Sequence, residues 1–412
     1  MDGFPKVLGI IQAGGKGSRM DVLTRERAKP ALAFAGSYRL IDFALSSFAN
    51  SGIAEVWVSV AYLASSLDPY INHGRPWDLD RSRGGYRRVV PEQGRATSES
   101  GFAAGNADNL VQISEQIRHL GADAVVVMSA DHVFRLDLRP VVHQHLARGA
   151  ECTIVTSEVT KSQASQKAVV QTGPDARVTG FDYKPESPLG TTVATEIFVY
   201  EPTVLLDELN RLRSELAPAA SDNGEESSGL GDFGESLLPA LVARGRTFAT
   251  DIGHYWRDLG TPEEYHRAHR DVLAGRVDVF ADRAYPILSH TTALPPALVR
   301  TQGVVHDSLL SPGVVVRGTV VRSVLGPGVI VESDAHVEDS ILGADVEVGS
   351  GAVVRTSIVD ERAVIGRGAQ VGAAPASTRP RDADITLVGR DSHISRGAVV
   401  DAGARLEPGT TV

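Results

Sequence analysis

The sequence predicts a two-part α/β protein: a Rossmann-like domain on a mainly parallel sheet, followed by a C-terminal left-handed parallel β-helix of hexapeptide repeats. Two textures and a length predict it. From Val7 to about Ala274, short β-branched runs alternate with helical patterns, the signature of helices layered on a parallel sheet. From about Thr301, aliphatic residues and glycine recur at a hexad-like spacing, as in Leu310-Ser-Pro-Gly-Val-Val, Val324-Leu-Gly-Pro-Gly-Val, Ile341-Leu-Gly-Ala-Asp-Val and Val364-Ile-Gly-Arg-Gly-Ala. A chain of 412 residues is also too long for one ordinary core. The expected boundaries are an α/β domain over 1–275, a linker over 276–300 and the β-helix over 301–412.

In the first part, candidate strands are Val7 to Gln12, Glu55 to Val60, Ala124 to Met128 and Glu151 to Val155. Candidate helices are Leu40 to Ala49, Ala107 to Leu120 and Pro262 to Ala274. The last has Thr261 as N-cap, Pro262 at its first position and Gly275 just past its end. Gly74 to Arg88, rich in Arg and Gly, and Ala217 to Gly231, rich in Ser, Gly and acidic residues, read as loops. In the second part, each short strand of a β-helix puts an aliphatic side chain into a narrow prism while small residues turn the corners. A β-sandwich would show strict alternation instead of the hexad. Ala373 to Asp384 interrupts the repeat before the final coils, Leu387 to Val412.

A net charge of -10 and a pI near 5.7 argue against a nucleic-acid-binding surface, so any anionic ligand must meet locally placed cations. The single cysteine, Cys152, cannot form an internal disulfide and reads as a buried core thiol, which fits a reducing cytoplasm. Met1 to Lys6 is too short on apolar residues for a secretory signal, and no run approaches a membrane span. A cytoplasmic protein is the expectation.

Directly after the first strand comes Gln12-Ala13-Gly14-Gly15-Lys16-Gly17-Ser18-Arg19-Met20, and then Arg27-Ala28-Lys29-Pro30. A glycine-rich strand exit lets backbone N–H groups approach phosphate oxygens without a Cβ in the way, and Arg19 and Lys29 supply neutralising charge.

These runs, with Gly36-Ser37-Tyr38-Arg39-Leu40-Ile41-Asp42-Phe43, Ser129-Ala130-Asp131-His132-Val133, Lys184-Pro185, Asp232-Phe233-Gly234 and Tyr255-Trp256-Arg257-Asp258-Leu259-Gly260-Thr261, resemble bacterial glucose-1-phosphate adenylyltransferases. The resemblance spans nearly the whole chain. It implies attack of a sugar 1-phosphate oxygen on the α-phosphorus of ATP with pyrophosphate leaving, in α-glucan synthesis. Charge neutralisation and in-line positioning carry such a reaction, and no protein nucleophile is needed. By the same resemblance, Asp131 and Asp258 hold Mg²⁺, and Arg19 and Lys29 act at the phosphates. Ala13, Gly14, Gly15, Gly17, Gln93, Gly105 and Asp108 contact the nucleotide, and Lys184 holds the sugar phosphate. Asp108 reads equally as a helix-start residue. Assembly as a homo-tetramer or as a hetero-oligomer with a related subunit is implied too.

The sugar side departs from the family pattern. Lys167-Ala168 stands where Phe-Gly is usual, Tyr183 where an acid is usual, and Ala194-Thr195-Glu196-Ile197-Phe198 where a Ser-x-Gly-x-Tyr run lines the sugar. Lost hydrogen-bonding partners weaken such a site, and the Glu196 carboxylate would repel a sugar phosphate. Phe102-Ala103 replaces an aromatic pair at the base pocket, and Glu26 stands where activator-binding members carry a lysine. Three readings therefore stand beside each other: an active glucose-1-phosphate adenylyltransferase, a non-catalytic or regulatory paralogue, and a nucleotidyltransferase for another sugar phosphate. A β-helix acetyltransferase is disfavoured because His306, His336 and His393 are scattered.

Overall fold

The computed structural model describes residues 5–14, 17–60, 62–89, 105–222, 230–277, 282–290, 293–374, 377 and 379–412, the side chains of 217–222 excepted. The α/β domain carries strands β1 (Val7–Gln12), β2 (Glu55–Ser59), β3 (Gly85–Val89), β4 (Ala124–Ser129), β5 (His132–Phe134), β6 (Cys152–Glu158), β7 (Ala168–Thr172), β8 (Val178–Tyr183), β9 (Thr192–Tyr200), β10 (Thr247–Asp251) and β11 (Trp256–Asp258). Its main helices are α1 (Ile41–Asn50), α2 (Asn106–Gln112), α3 (Ser114–Leu120), α4 (Leu138–Ala147), α5 (Pro202–Asp222), α6 (Leu237–Ala243) and α7 (Pro262–Leu273).

The main sheet runs β8-β7-β9-β4-β1-β2-β3, with β6 on β9 and β10 on β6. Strands β4, β1, β2 and β3 are mutually parallel, whereas β9 is antiparallel to β4, β6 and β7. Alternation along β1 explains the layering. Val7 and Ile11 face the core made with α1, α4 and α7, and Leu8 and Ile10 face the core made with α2, α5 and α6. At Gly9 a Cβ would lie 2.6 Å from the Phe48 ring, so a glycine lets α1 settle onto the sheet. Cys152 is buried, and burial pushes its thiol pKa far up, as expected of an inert core thiol. Thr261 caps α7 by accepting from the Glu264 N–H at 3.2 Å.

Three sequence expectations need correction. The stretch 74–88 is not a simple loop: a 3-10 turn covers Asn72–Trp77 and β3 extends the sheet, because Gly85 and Val89 turn inward while Arg87 and Arg88 remain outside on this edge strand. Helix α5 continues through Asp222, into the segment read as a loop from Ala217. The helix expected over 107–120 breaks at Ile113, whose φ of -103° and ψ of 7° separate α2 from α3.

From Leu298 the chain winds into three six-stranded parallel sheets, a parallel β-helix. Val331, Val348 and Ile365 stack in one inner column, and Leu325, Leu342 and Val359 in another, all essentially inaccessible. At Gly343 and Gly366 a Cβ would come within 2.8 Å of the next coil's backbone, so glycine sets the coil spacing. Ser323, Ser340 and Ser357 form a ladder: the Ser323 hydroxyl accepts from the Ser340 N–H, and the Ser340 hydroxyl from the Ser357 N–H. One sheet's outward residues, Ile341, Ile358 and Leu387, belong to the core of the α/β domain, so the two parts share a dry interface. Arg27 reinforces it by pairing with Asp360 and, at 3.0 Å, with Glu361. His266 adds a hydrogen bond from Nε2 to the Asp339 carbonyl at 2.7 Å.

Candidate active site

The parallel strands β1 and β4 end side by side, and the chain beyond them opens into a cavity of about 300 Å³. Clefts at the carboxyl ends of strands, where the sheet changes direction, are natural ligand sites in α/β proteins. Here β9 meets β7 at Val193 and joins β4 only from Ile197 onward, and the stretch between, with Ala194 and Glu196, forms one wall of the cavity.

Ala13, Gly14, Gly17, Arg19, Lys29, Asp131, Lys184, Glu196 and Asp258 all line this one cavity. Gly17 has φ of 62°, and a Cβ there would approach Lys29 Cβ at 3.0 Å, so the turn needs glycine for both reasons. The Arg19 guanidinium lies against Gly260, where a Cβ would sit 3.4 Å from it. Gly105 and Asp108 flank Asn106, which reaches the cavity, but do not line it themselves. Gly105 packs on the backbone of Gly231, and Asp108 is buried in the first turn of α2, its helix-start reading. Gly15 and Gln93 lie outside the described residues.

At the centre, Lys29 Nζ donates to Asp131 Oδ2 at 2.5 Å and lies 3.7 Å from Asp258 Oδ1. Asp131 also accepts from Ser129 Oγ, and β11 pairs with β5 so that Asp258 stands opposite His132. Burial works against the Lys29 ammonium, but the two carboxylates outweigh it and hold its pKa above the ordinary lysine value. Burial likewise pushes both aspartates up, and the Lys29 ammonium and the His132 ring more than reverse this, so both stay ionised well below the usual carboxylate range.

Three participants were not among the site residues expected from the sequence. Lys167 donates to Asp258 Oδ2 at 2.9 Å, with its Nζ 4.9 Å from the Trp256 ring centroid. His132 is 3% exposed and stands edge-on to Trp256. Tyr183 donates its hydroxyl to Asp232 at 3.2 Å, and the Lys184 ammonium rests 4.4 Å from the Tyr183 ring centroid. The signals existed: His132 sits inside the Ser-Ala-Asp-His motif, and Lys167 and Tyr183 stood out as departures. Glu196 and Lys167 are a matched pair of departures, because the new carboxylate and the new ammonium enter one charge cluster. The Glu196 side chain is half exposed at the cavity, and desolvation there together with the Asp131 and Asp258 charges raises its pKa, while His132 opposes this.

Fold and cavity together define a nucleotidyl transferase carrying a hexapeptide-repeat β-helix. Residues 8–275 match the nucleotidyl transferase family, and residues 295–388 match the family of GlmU-like, C-terminal hexapeptide domains. Within that class, the chain belongs to the glucose-1-phosphate adenylyltransferase family. It is 32% identical to the glucose-1-phosphate adenylyltransferase of Desulfitobacterium hafniense (strain Y51) over 405 residues, 98% of each chain. It is 35% identical to that of Streptomyces avermitilis over 360 residues, 82% of this chain and 85% of the relative. With that of Thermomicrobium roseum it shares 36% over 309 residues, 74% of this chain and 69% of the relative.

Proposed function

We propose that the chain transfers the adenylyl group of ATP to α-D-glucose 1-phosphate, forming ADP-glucose and pyrophosphate for glycogen-type α-glucan synthesis. The observation that carries this reading is the convergence of Lys29, Asp131, Asp258 and Lys184 on one cavity at the ends of β1 and β4. In this reading the backbone around Gly14 and Gly17 cradles the triphosphate, and Arg19 and Lys29 neutralise charge that builds up as pyrophosphate leaves. Lys184 draws in the sugar phosphate, and Asp232 and Tyr183 bound the sugar.

Asp131 and Asp258 suit Mg²⁺: both are ionised, both are oxygen donors, and their Oδ1 atoms lie 3.5 and 3.7 Å from one point, His132 Nε2. A bound Mg²⁺ would screen the phosphates and polarise the α-phosphorus. Lys29 and Lys167 hold the two carboxylates in place. Among the described residues no helix is long and apolar enough to cross a membrane. A cytoplasmic location, where ATP is made, and assembly into oligomers complete the proposal.

The test is turnover of purified protein with ATP, MgCl₂ and glucose 1-phosphate, following pyrophosphate and identifying ADP-glucose by mass. Turnover only with a different sugar 1-phosphate would reassign the substrate. No turnover with any, together with a thermal shift by ATP, would make the chain a regulatory paralogue.

A further inference from the structure

The structure assigns to His132 and Glu196 the role of extra metal ligands, turning the two-aspartate centre into a mixed nitrogen and oxygen site that prefers Mn²⁺ to Mg²⁺. This inference rests on the proposal that Asp131 and Asp258 bind the divalent cation.

It starts from the ring of His132. Nδ1 lies 3.1 Å from the Thr195 carbonyl oxygen, which can only accept, so Nδ1 carries the hydrogen in the neutral ring and Nε2 carries the lone pair. A histidine that binds a metal commonly gives its other N–H to a carbonyl in this way, which fixes the ring. Nε2 makes no hydrogen bond among the described residues and points at three carboxylates. Asp131 Oδ1 is 3.5 Å away, Asp258 Oδ1 3.7 Å and Glu196 Oε2 3.8 Å. An ion that displaces any hydrogen from Nε2 would be shared by this nitrogen and the three carboxylate oxygens. Ligands at right angles around an ion with bonds of about 2.1 Å stand about 3 Å apart, so small side-chain adjustments close the set. Asp131, His132 and Glu196 offer donor atoms that lie within 4.8 Å of one another.

The backbone gives an independent sign. Glu196 holds φ of 59° in mid-strand, where the register of β9 against β6 breaks between Ala194 and Phe198. A glycine would take that conformation without cost, whereas glutamate is strained there. The strained residue places a carboxylate beside the two aspartates, and Lys167 and Lys29 supply two positive charges against three negative ones. A nitrogen donor moves selectivity away from Mg²⁺, which prefers oxygen and water, toward Mn²⁺ and the metals beyond it.

The experiment titrates MnCl₂ and MgCl₂ into the full chain, alone and with a non-hydrolysable ATP analogue, and reads bound Mn²⁺ by electron paramagnetic resonance. Pulsed resonance on the Mn²⁺-loaded parent should show nitrogen coupling that changes when histidine is labelled with ¹⁵N. His132→Asn should weaken Mn²⁺ binding about tenfold and Mg²⁺ binding much less, the range found when metal partners are lost. Glu196→Gly should weaken Mn²⁺ binding without lowering the thermal midpoint. No nitrogen coupling in the parent, or unchanged Mn²⁺ affinity in both variants while Asp131→Asn abolishes it, overturns the inference and leaves the two-aspartate site standing. Unchanged Mn²⁺ binding in Asp131→Asn overturns both.

Discussion

Arg27 and Lys29 sit two residues apart, are almost equally inaccessible, and each faces a pair of carboxylates, yet they do different work. Arg27 is sealed between the domains, where Asp360 and Glu361 take its guanidinium and Leu23 offers a carbonyl. Glu361 is shared further with Arg39 and Arg390, so the cluster is closed. Lys29 faces aspartates that also border an open cavity and lie beside His132. Burying an ion pair does not make a site; access to a cavity does. One short segment thereby ties the β-helix to the chemistry.

The largest effect expected from breaking this pairing is at the open cluster. Asp131→Asn removes the partner of Lys29 and the proposed metal ligand, and turnover should fall at least about a thousandfold with the fold intact. An unchanged rate in the pyrophosphate assay would remove the proposed centre. Lys29→Met should cost about a hundredfold in turnover, since one charge that meets the leaving phosphates is lost. Its urea midpoint should move little, because water in the cavity can solvate the two aspartates.

The mirror substitution, Arg27→Met, should reverse that pattern. It leaves Asp360 and Glu361 charged in a sealed interface, a loss of about 3 kcal/mol, with the folded protein still turning over. Urea denaturation measures it. A fall in turnover as large as that of Lys29→Met, with stability unchanged, would mean that the two cations are not divided as described.

How much of this was legible beforehand follows from the range of the interactions. The glycine turn, Lys29 and Asp131 are carried by short local motifs at strand ends, and the hexad announces the coils because each coil repeats the same packing problem. The Lys167–Asp258 contact joins residues from distant parts of the chain, so no spacing could announce it. Glu196 looked like a misfit in the sugar pocket, because neither its left-handed backbone nor its neighbour Lys167 can be read from composition. Strand β3 was hidden for a related reason: its burial comes from pairing with β2, while three of its five residues are arginine or glycine. The close contact of Gly105 with Gly231 could not be foreseen either, because it depends on a segment more than a hundred residues on.

A third buried carboxyl sharpens the comparison by forming no ion pair among the described residues, although the Arg39 charge acts on it. Asp42 accepts from the Arg39 N–H at 2.9 Å and from the Tyr70 hydroxyl at 2.6 Å, and Oδ1 has no partner among the described residues. Burial pushes its pKa up to about 7, although hydrogen bonding by Tyr70, the Arg39 backbone and Ser289 and the Arg39 charge oppose this. The folded protein thus holds a proton that the unfolded chain has already released, so the stability Asp42 contributes is full below pH 4 and is lost as pH rises through 7. Buried His145 and His269, with pKa values lowered to about 4 and about 3 by burial, act in the other direction, losing stability as pH falls below the ordinary histidine range. Comparing parent with Asp42→Asn cancels the histidines. The amide keeps an acceptor for both donors, so the variant should gain about 2 kcal/mol relative to the parent between pH 5 and 8, an order-of-magnitude figure from proton linkage. Parallel pH profiles of urea stability would show that Asp42 is ionised throughout, and that a buried carboxylate in this protein needs no facing cation.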